Sequence, residues 1–543
     1  WKLRLGARPE EWLDRDVELV ITGSNLVMHG FDLDVVNLNG RVTYNNELGL
    51  RSERFTGNSF DHPISGKIMS EILGSGGETI LEVDGAIDMA ALYAWSDQPL
   101  LSRAEGVFTY QAAVHVPYGG GKDETYVEAY SDLVGVTLNL PHPLEKKDPN
   151  EARQFEYRQI FKEPGYRVEL SLDDQIKASL KIENGVAVGG RIHFGEQLFG
   201  AVTYDAVRMT GHLNYLNVED WMLLTDQLNE VSDVSLQDEI SEHVETVTLN
   251  IDELMVFSLP LIDLDAIVTR EDGFWLAQLS NEMLDGEVKV PDADSSPLDI
   301  SLKRLSFEGE EDASDPFGEV NPLEIADIAF STDLLLLDGE DYGSWSFKFR
   351  AGDEVAKFEE LKATALGIQV LTGAQAQWRF KDGQHTSGFK GDILIDDLAD
   401  ALEKFGFASS VEGEGLKIKA DINWAGSPAM IDVDDISGRV KIQEGKGRFV
   451  QAETGGALKL LGIFDFASLA RRFRLDFSDV LEKGFEFSDI SGVTTFNNGS
   501  IDVTEPIVIE SPGGTFKVAG TVNLETRALD NDMIVTLPVG RTL

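Results

Sequence analysis

Cysteine is absent from all 543 residues, so disulfide frameworks, thiol catalysis, zinc ribbons and iron–sulfur sites are excluded. Basic residues are scarce beside acidic ones, 46 against 95, and the formal charge of −49 repels phosphates over most of the surface. Nucleic acid is therefore not an expected ligand. Proline is also sparse, at 17 residues. No uninterrupted apolar run approaches the roughly 20 residues that a helix needs to span a bilayer. The chain opens at Trp1 without methionine and in mid-pattern, which reads as a fragment whose export or anchor segment lies upstream.

Catalytic signatures are missing as well. Gly119-Gly120-Gly121-Lys122 looks like a phosphate loop, but position 116 is Val and Asp123 replaces the metal-binding hydroxyl, so a hairpin loop is the better reading. Gly74-Ser75-Gly76-Gly77 lacks the spacing and the strand-to-helix setting of a nucleophile elbow. The eight histidines are scattered, with no pair four apart on a helix, so no metal site or cofactor is expected. The lysine- and arginine-free stretch from Met209 to Val268 holds Asp233, Asp238, Glu239, Glu242 and Glu245; it could hold a divalent cation, but without calcium-loop spacing a solvated face or mobile loop is the better reading. No enzyme activity is expected.

What the chain does have is apolar material, 42% of its residues, arranged with a period of two. In Leu416-Lys417-Ile418-Lys419-Ala420-Asp421-Ile422-Asn423-Trp424 every even position is apolar or small and every odd one polar, the mark of a half-buried strand. Val168–Leu172, Val247–Ile251, Phe516–Leu524 and Met533–Leu537 repeat it. Asn184-Gly185, Asp272-Gly273, Asp285-Gly286, Asp338-Gly339, Asp382-Gly383 and Asn498-Gly499 are hairpin-turn dipeptides between such runs. The pattern continues too long for one sandwich or barrel. It predicts a mainly β fold: an elongated, twisted antiparallel sheet curled into an apolar groove, with a few short amphipathic helices.

Three of those helices follow strands in loose repeats: Asp88–Trp95, one begun by Glu219-Asp220 with Trp221, Leu224 and Leu228 on a face, and one begun by Asp396-Asp397 with Leu398, Leu402 and Phe405. A fourth region stands apart. Between Ala457 and Phe477 the local charge turns positive, and Phe466, Leu469 and Phe473 share a helix face opposite Arg471, Arg472 and Arg474, the layout of an interfacial helix. It could plug the end of the sheet or meet a membrane or an envelope protein partner. The expected organisation is 1–205 and 206–440 as successive β-groove stretches and 441–543 as a C-terminal segment with amphipathic helices.

Several short motifs, in order, carry a family likeness. They are Ser131-Asp132-Leu133-Val134-Gly135-Val136, Leu138-Asn139-Leu140-Pro141-His142-Pro143-Leu144-Glu145-Lys146, Asn423-Trp424-Ala425-Gly426-Ser427-Pro428, Gly447-Arg448-Phe449, Leu460-Leu461-Gly462, Leu469–Phe473, Leu475–Asp479 and Gly484–Phe487 with Ile490-Ser491-Gly492. Together they resemble the C-terminal, AsmA-like portion of the YhdP family of Gram-negative envelope proteins. One departure is Glu145, where family members commonly have glycine before the lysine.

The resemblance implies a periplasmic protein, anchored in the inner membrane by an N-terminal helix outside this sequence. It would extend toward the outer membrane and help phospholipid pass outward through a β-groove, with no catalytic residues. A long sheet with one apolar face must cover that face or curl around something apolar. Candidate groove residues are Leu416, Ile418, Ile422, Trp424, Val440, Ile442, Phe516, Val518, Val522, Leu524, Val535 and Leu537. Their alternative role is an ordinary core packed by helices. For the whole chain, the competing reading is a non-transporting rod or scaffold that bridges envelope layers.

Overall fold

The structure is a computed structural model. It describes residues 16–536 apart from 29–32, 46, 74–75, 119–123, 163, 197–201, 230–242, 257–258, 293–295, 308–314, 316, 319, 405–408, 410, 432, 450–484, 525 and 527. These residues form a mainly β protein whose 32 strands belong to a mixed sheet, with three short α-helices. The chain divides into two compact units, Trp1–Arg270 and Glu271–Leu543.

Unit 1 begins as an antiparallel meander through Val17–Met28, Leu33–Asn45, Gly49–Ser59, His62–Leu73, Gly76–Asp88 and Ala104–Tyr118. Val17–Met28 pairs on one side only among the described strands, so the sheet is open and not a barrel. Helix α1 (Met89–Ser96) interrupts the meander where Asp88 accepts from the Ala90 amide (2.8 Å), as an acidic N-cap should. Asp97, in the left-handed region at φ 53°, closes it. Helix α2 (Val218–Asn229) buries Leu224 and Leu228, as its spacing requires.

Most strand pairs are antiparallel, as expected, but the sheet is mixed. Val186–Phe194 runs parallel to Val207–Asn217, and Val207–Asn217 parallel to Val244–Val256. In unit 2, Leu298–Phe307 runs parallel to Ile328–Thr332 and Leu335–Leu337. A tight turn cannot return the chain to the end at which a strand began; a long crossover can. The segment holding α2 is one such crossover. Alternation reports which face a side chain takes, not the direction of the next strand.

The remainder of unit 2 is antiparallel from Ser344–Arg350 onward, with helix α3 (Leu398–Lys404) between Gln384–Ile395 and Val411–Ala425. Four of the dipeptides hold both residues at positive φ: Asn184-Gly185, Asp338-Gly339, Asp382-Gly383 and Asn498-Gly499. Asp285-Gly286 is not a turn. It lies inside the strand Leu284–Pro291 at a register shift, where a Cβ on residue 286 would stand 2.5 Å from the Ser301 carbonyl oxygen.

Candidate functional site

Residues directly opposite one another in a sheet share a face, so following register partners traces rows across the strands. In unit 1 one row runs Ile21, Gly40, Phe55, Gly66, Val83, Ala112, Ala129, Tyr157, Leu170, Ala178, Ile192, Met209, Val247 and Val268. It crosses fourteen strands without a charged side chain. At about 4.8 Å per strand this is roughly 60 Å of apolar floor. Every member except buried Ala178 is half-buried, so the floor is neither a closed core nor open surface. A second row, Ile68, Leu81, Val114, Val127, Gln159, Val168 and Leu180, lies beside it on the same face.

One flank of this floor is roofed. Ile87, Met89, Phe108, Leu133, Val136, Leu172 and Ile176 form a closed core with Leu92 of α1, Leu101, Leu138 and Leu144. Phe155 and Ile192 pack against it from the floor side. A sheet floor with a wall of helix and loop along one flank is a trough.

The opposite face is polar. Its row, one residue along each strand, reads Lys67, Glu82, Ala113, Glu128, Arg158, Glu169, Ser179, Arg191, Arg208, Thr246 and Thr269. A concavity of about 1050 Å³ lies on this charged face, bordered by Glu82, His115, Glu128, Arg158, Arg167 and Tyr204. His115 stacks on Tyr126 at 4.2 Å, with Nδ1 3.1 Å from Glu78 and Nε2 3.4 Å from Glu128. Arg158 covers the Tyr126 ring at 4.2 Å, and the Tyr204 hydroxyl is 2.9 Å from Ser179 Oγ. Its lining also takes in Val83, Ala112, Ala129, Tyr157, Leu170 and Ala178, so the same strands border the concavity and carry the apolar floor.

Unit 2 repeats the arrangement. The row Leu298, Ile328, Phe349, Phe358, Ala376, Phe389, Ile422, Gly438, Phe496, Ile501 and Val522 crosses eleven strands, roughly 50 Å at about 4.8 Å each. Behind it stand Gln375, Lys390, Asp421, Arg439, Thr495, Asp502, Thr521 and Asp530. Exposed pairs such as Lys390–Asp421 (2.6 Å) and Arg439–Glu505 (2.6 Å) decorate that polar face and contribute little stability each.

The structure sorts the sequence-derived candidates by their distance from α3. Leu416, Ile418 and Ile442 pack with Ala401 and Leu398 of α3, and Phe516, Val518 and Val535 share a cluster with Leu398 and Leu402. Ile422 and Val440 are half-buried and belong to neither cluster. Val522 and Trp424 are buried, and Leu524 follows the strand end, its amide donating to Gly499 O (2.8 Å). Leu537 lies outside the described residues, as do Phe466, Leu469, Arg471, Arg472, Phe473 and Arg474. Gly119 to Lys122, Gly74-Ser75, Phe405 and the acidic residues Asp233, Asp238, Glu239 and Glu242 are outside them too. Glu245 is described, and it pairs with Arg208. The sequence pattern did not single out the unit 1 floor, because Gly40, Gly66 and Tyr157 interrupt its apolar count.

The YhdP protein family model matches residues 3–543. The chain belongs to the YhdP family. A curated relative, the intermembrane phospholipid transporter YhdP of Escherichia coli (strain K12), is 21% identical over 566 residues, covering 97% of this chain and 42% of that relative. The chain thus spans less than half the length of the relative it matches. No solved structure matches.

Two of the YhdP-like motifs turn out to build the walls. Lys146, 1% exposed, donates from Nζ to the carbonyls of Val136 and Asp148, both at 2.7 Å, and ties the 132–148 loop into a knot. Buried Arg153 adds the Asp173 carboxylate (2.8 Å) and the carbonyls of Pro143 and Glu145. Trp221 of α2 donates its indole N–H to His142 O (3.1 Å), so the loop seats that helix. In unit 2 the Trp424 indole donates to Ser427 O (3.1 Å), and Asp315 accepts from the Ser427 amide (2.9 Å) and hydroxyl (2.6 Å). Burial works to raise the Asp315 carboxyl; those two bonds, the Phe317 amide and nearby His385 outweigh it and hold the group below the usual aspartate value. Among the described residues no helix is long and apolar enough to cross a membrane.

Proposed function

We propose that this chain shelters the acyl chains of phospholipid along the apolar face of its sheet and carries lipid between the membranes of a bacterial envelope, without catalysis. The single observation that supports this most is the fourteen-strand apolar row of unit 1, half-buried at every member but Ala178 and backed by a charged face. A soluble protein rarely leaves so long an apolar strip without an occupant. The physical need is large: taking about 30 methylenes through water costs roughly 0.8 kcal/mol each, more than 20 kcal/mol. Shelter along a floor removes most of that barrier with no chemical step, while the headgroup stays at the open side. Ile422 and Val440 are the sequence-derived positions that we assign to lipid contact in unit 2. The finer reading is periplasmic, with an inner-membrane anchor, movement toward the outer membrane and support of the outer-membrane permeability barrier; the relative's name supports the transport part of it.

Native mass spectrometry of the chain purified from a Gram-negative host tests the proposal. A conduit retains phospholipid, released on mild activation. A scaffold that bridges layers without transport carries none, and that result would sink the proposal.

A further inference from the structure

The apolar floor of unit 1 is interrupted at one place. The strand Phe155–Phe161 turns Phe155, Tyr157, Gln159 and Phe161 toward the apolar face. Gln159 is paired with Val127 on one side and Val168 on the other, so an amide stands in a row of aliphatic side chains. The Tyr157 hydroxyl donates to Gln159 Oε1 at 2.8 Å, which turns the amide nitrogen away from the phenol. Gln159 Nε2 keeps two N–H donors, and it donates to none of the described residues. Tyr166, on the neighbouring strand and the same face, is close enough that its charge would oppose ionisation of Tyr157. Burial, followed by that neighbour, pushes the Tyr157 phenol up to about 12, so it is a neutral donor throughout the physiological range.

We infer that Tyr157 and Gln159 form a hydrogen-bonding station in the floor that halts a glycerolipid with its ester or phosphodiester oxygens at Gln159 and its hydrocarbon over the aliphatic neighbours. This deepens the lipid-carrier reading and rests on it. Hydrocarbon laid over the amide would strip water from two N–H groups and return nothing, whereas a carbonyl or phosphodiester oxygen accepts from them. A fully apolar floor would let a chain slide without preferred registers; one amide in a row of about 30 Å creates a preferred one.

The test uses two phospholipid probes, with a photoreactive group beside the ester or at the chain terminus. Each is presented in phosphatidylethanolamine/phosphatidylglycerol vesicles to the whole chain, and labelled residues are mapped by mass spectrometry. The ester-proximal probe is expected to label Val127 and its neighbours in preference to the chain-end probe. In the double variant Tyr157→Phe with Gln159→Leu, which replaces both partners with apolar groups and keeps the fold, that preference falls roughly 3- to 10-fold. Arg158→Gln, between them on the opposite face, leaves it unchanged. An identical preference in wild type and double variant overturns the station while leaving the conduit standing. Absence of labelling at both Val127 and Ile192 by either probe overturns the conduit itself.

Discussion

Placing one charge on either side of a single strand tests the two-faced sheet. Ala112 lies in the apolar row between Val83 and Ala129, and Ala113 in the polar row between Glu82 and Glu128; both are half-buried. Ala112→Asp and Ala113→Asp therefore make the same chemical change one residue apart. At position 112 an occupying acyl chain must pass over a carboxylate and strip its water. Aspartate surrounded by hydrocarbon costs about 2.5 to 3.5 kcal/mol on the membrane-insertion scale, which corresponds to roughly 70- to 400-fold in occupancy or transfer rate. At position 113 the new acid meets two others across the strands, a repulsion of about 0.2 to 1 kcal/mol that acts on stability and not on lipid. The assay is transfer of fluorescent phospholipid between vesicles by the purified chain, with thermal melts to confirm that both variants fold. Ala112→Asp should fall by about two orders of magnitude while Ala113→Asp stays within about threefold of wild type. Equal transfer by two folded variants would refute the assignment of the apolar row as the lipid path.

Other consequences follow from the walls. Lys146→Ala removes two charge-assisted hydrogen bonds, to the carbonyls of Val136 and Asp148, each about 1.5 to 3 kcal/mol, and should cost about 3 kcal/mol or more in denaturant unfolding; a loss under about 1 kcal/mol would show that the lysine does not hold the loop. Ser427→Ala removes one bond to the Asp315 carboxylate, about 1.5 to 3 kcal/mol at pH 7. Because the folded pKa of Asp315 is depressed, its contribution is complete above the ordinary aspartate value of about 3.9 and is lost as pH falls through the folded value. The stability gap between wild type and Ser427→Ala should accordingly narrow from pH 7 to below that range, and a gap independent of pH would contradict the latch. Gly66→Ala should destabilise by about 1 to 3 kcal/mol, since its Cβ would stand 2.1 Å from Glu82 O and 2.4 Å from the Phe55 ring; calorimetry that finds it neutral would contradict this close packing of the strands at Gly66.

The strands were legible where one face is polar and the other apolar without interruption, as in Leu416–Trp424, which the structure extends to Val411–Ala425. Helices were legible through their acidic starts and buried faces, with Asp88 and the Leu224/Leu228 pair as examples. Strand direction was not, because alternation is identical in parallel and antiparallel neighbours. The floor of unit 1 was not legible either. It arises from register, and register near Phe55 is set by shifts between Ser52 and Phe55 and between Gly40 and Thr43 that no local pattern announces. Counting apolar residues along one strand passes over Gly66, whose missing side chain makes room for Phe55 in the row. Gln159 looks like a solvent-facing residue until its partners Val127 and Val168 are known.

The most direct measurement is photocrosslinking in living cells from two adjacent positions, Ile192 in the apolar row and Arg191 in the polar row behind it, each replaced in turn by a photoreactive amino acid. Phospholipid adducts at 192 and none at 191 are the expected result. Adducts at both positions alike, or at neither in folded protein, would contradict a lipid path along the apolar face.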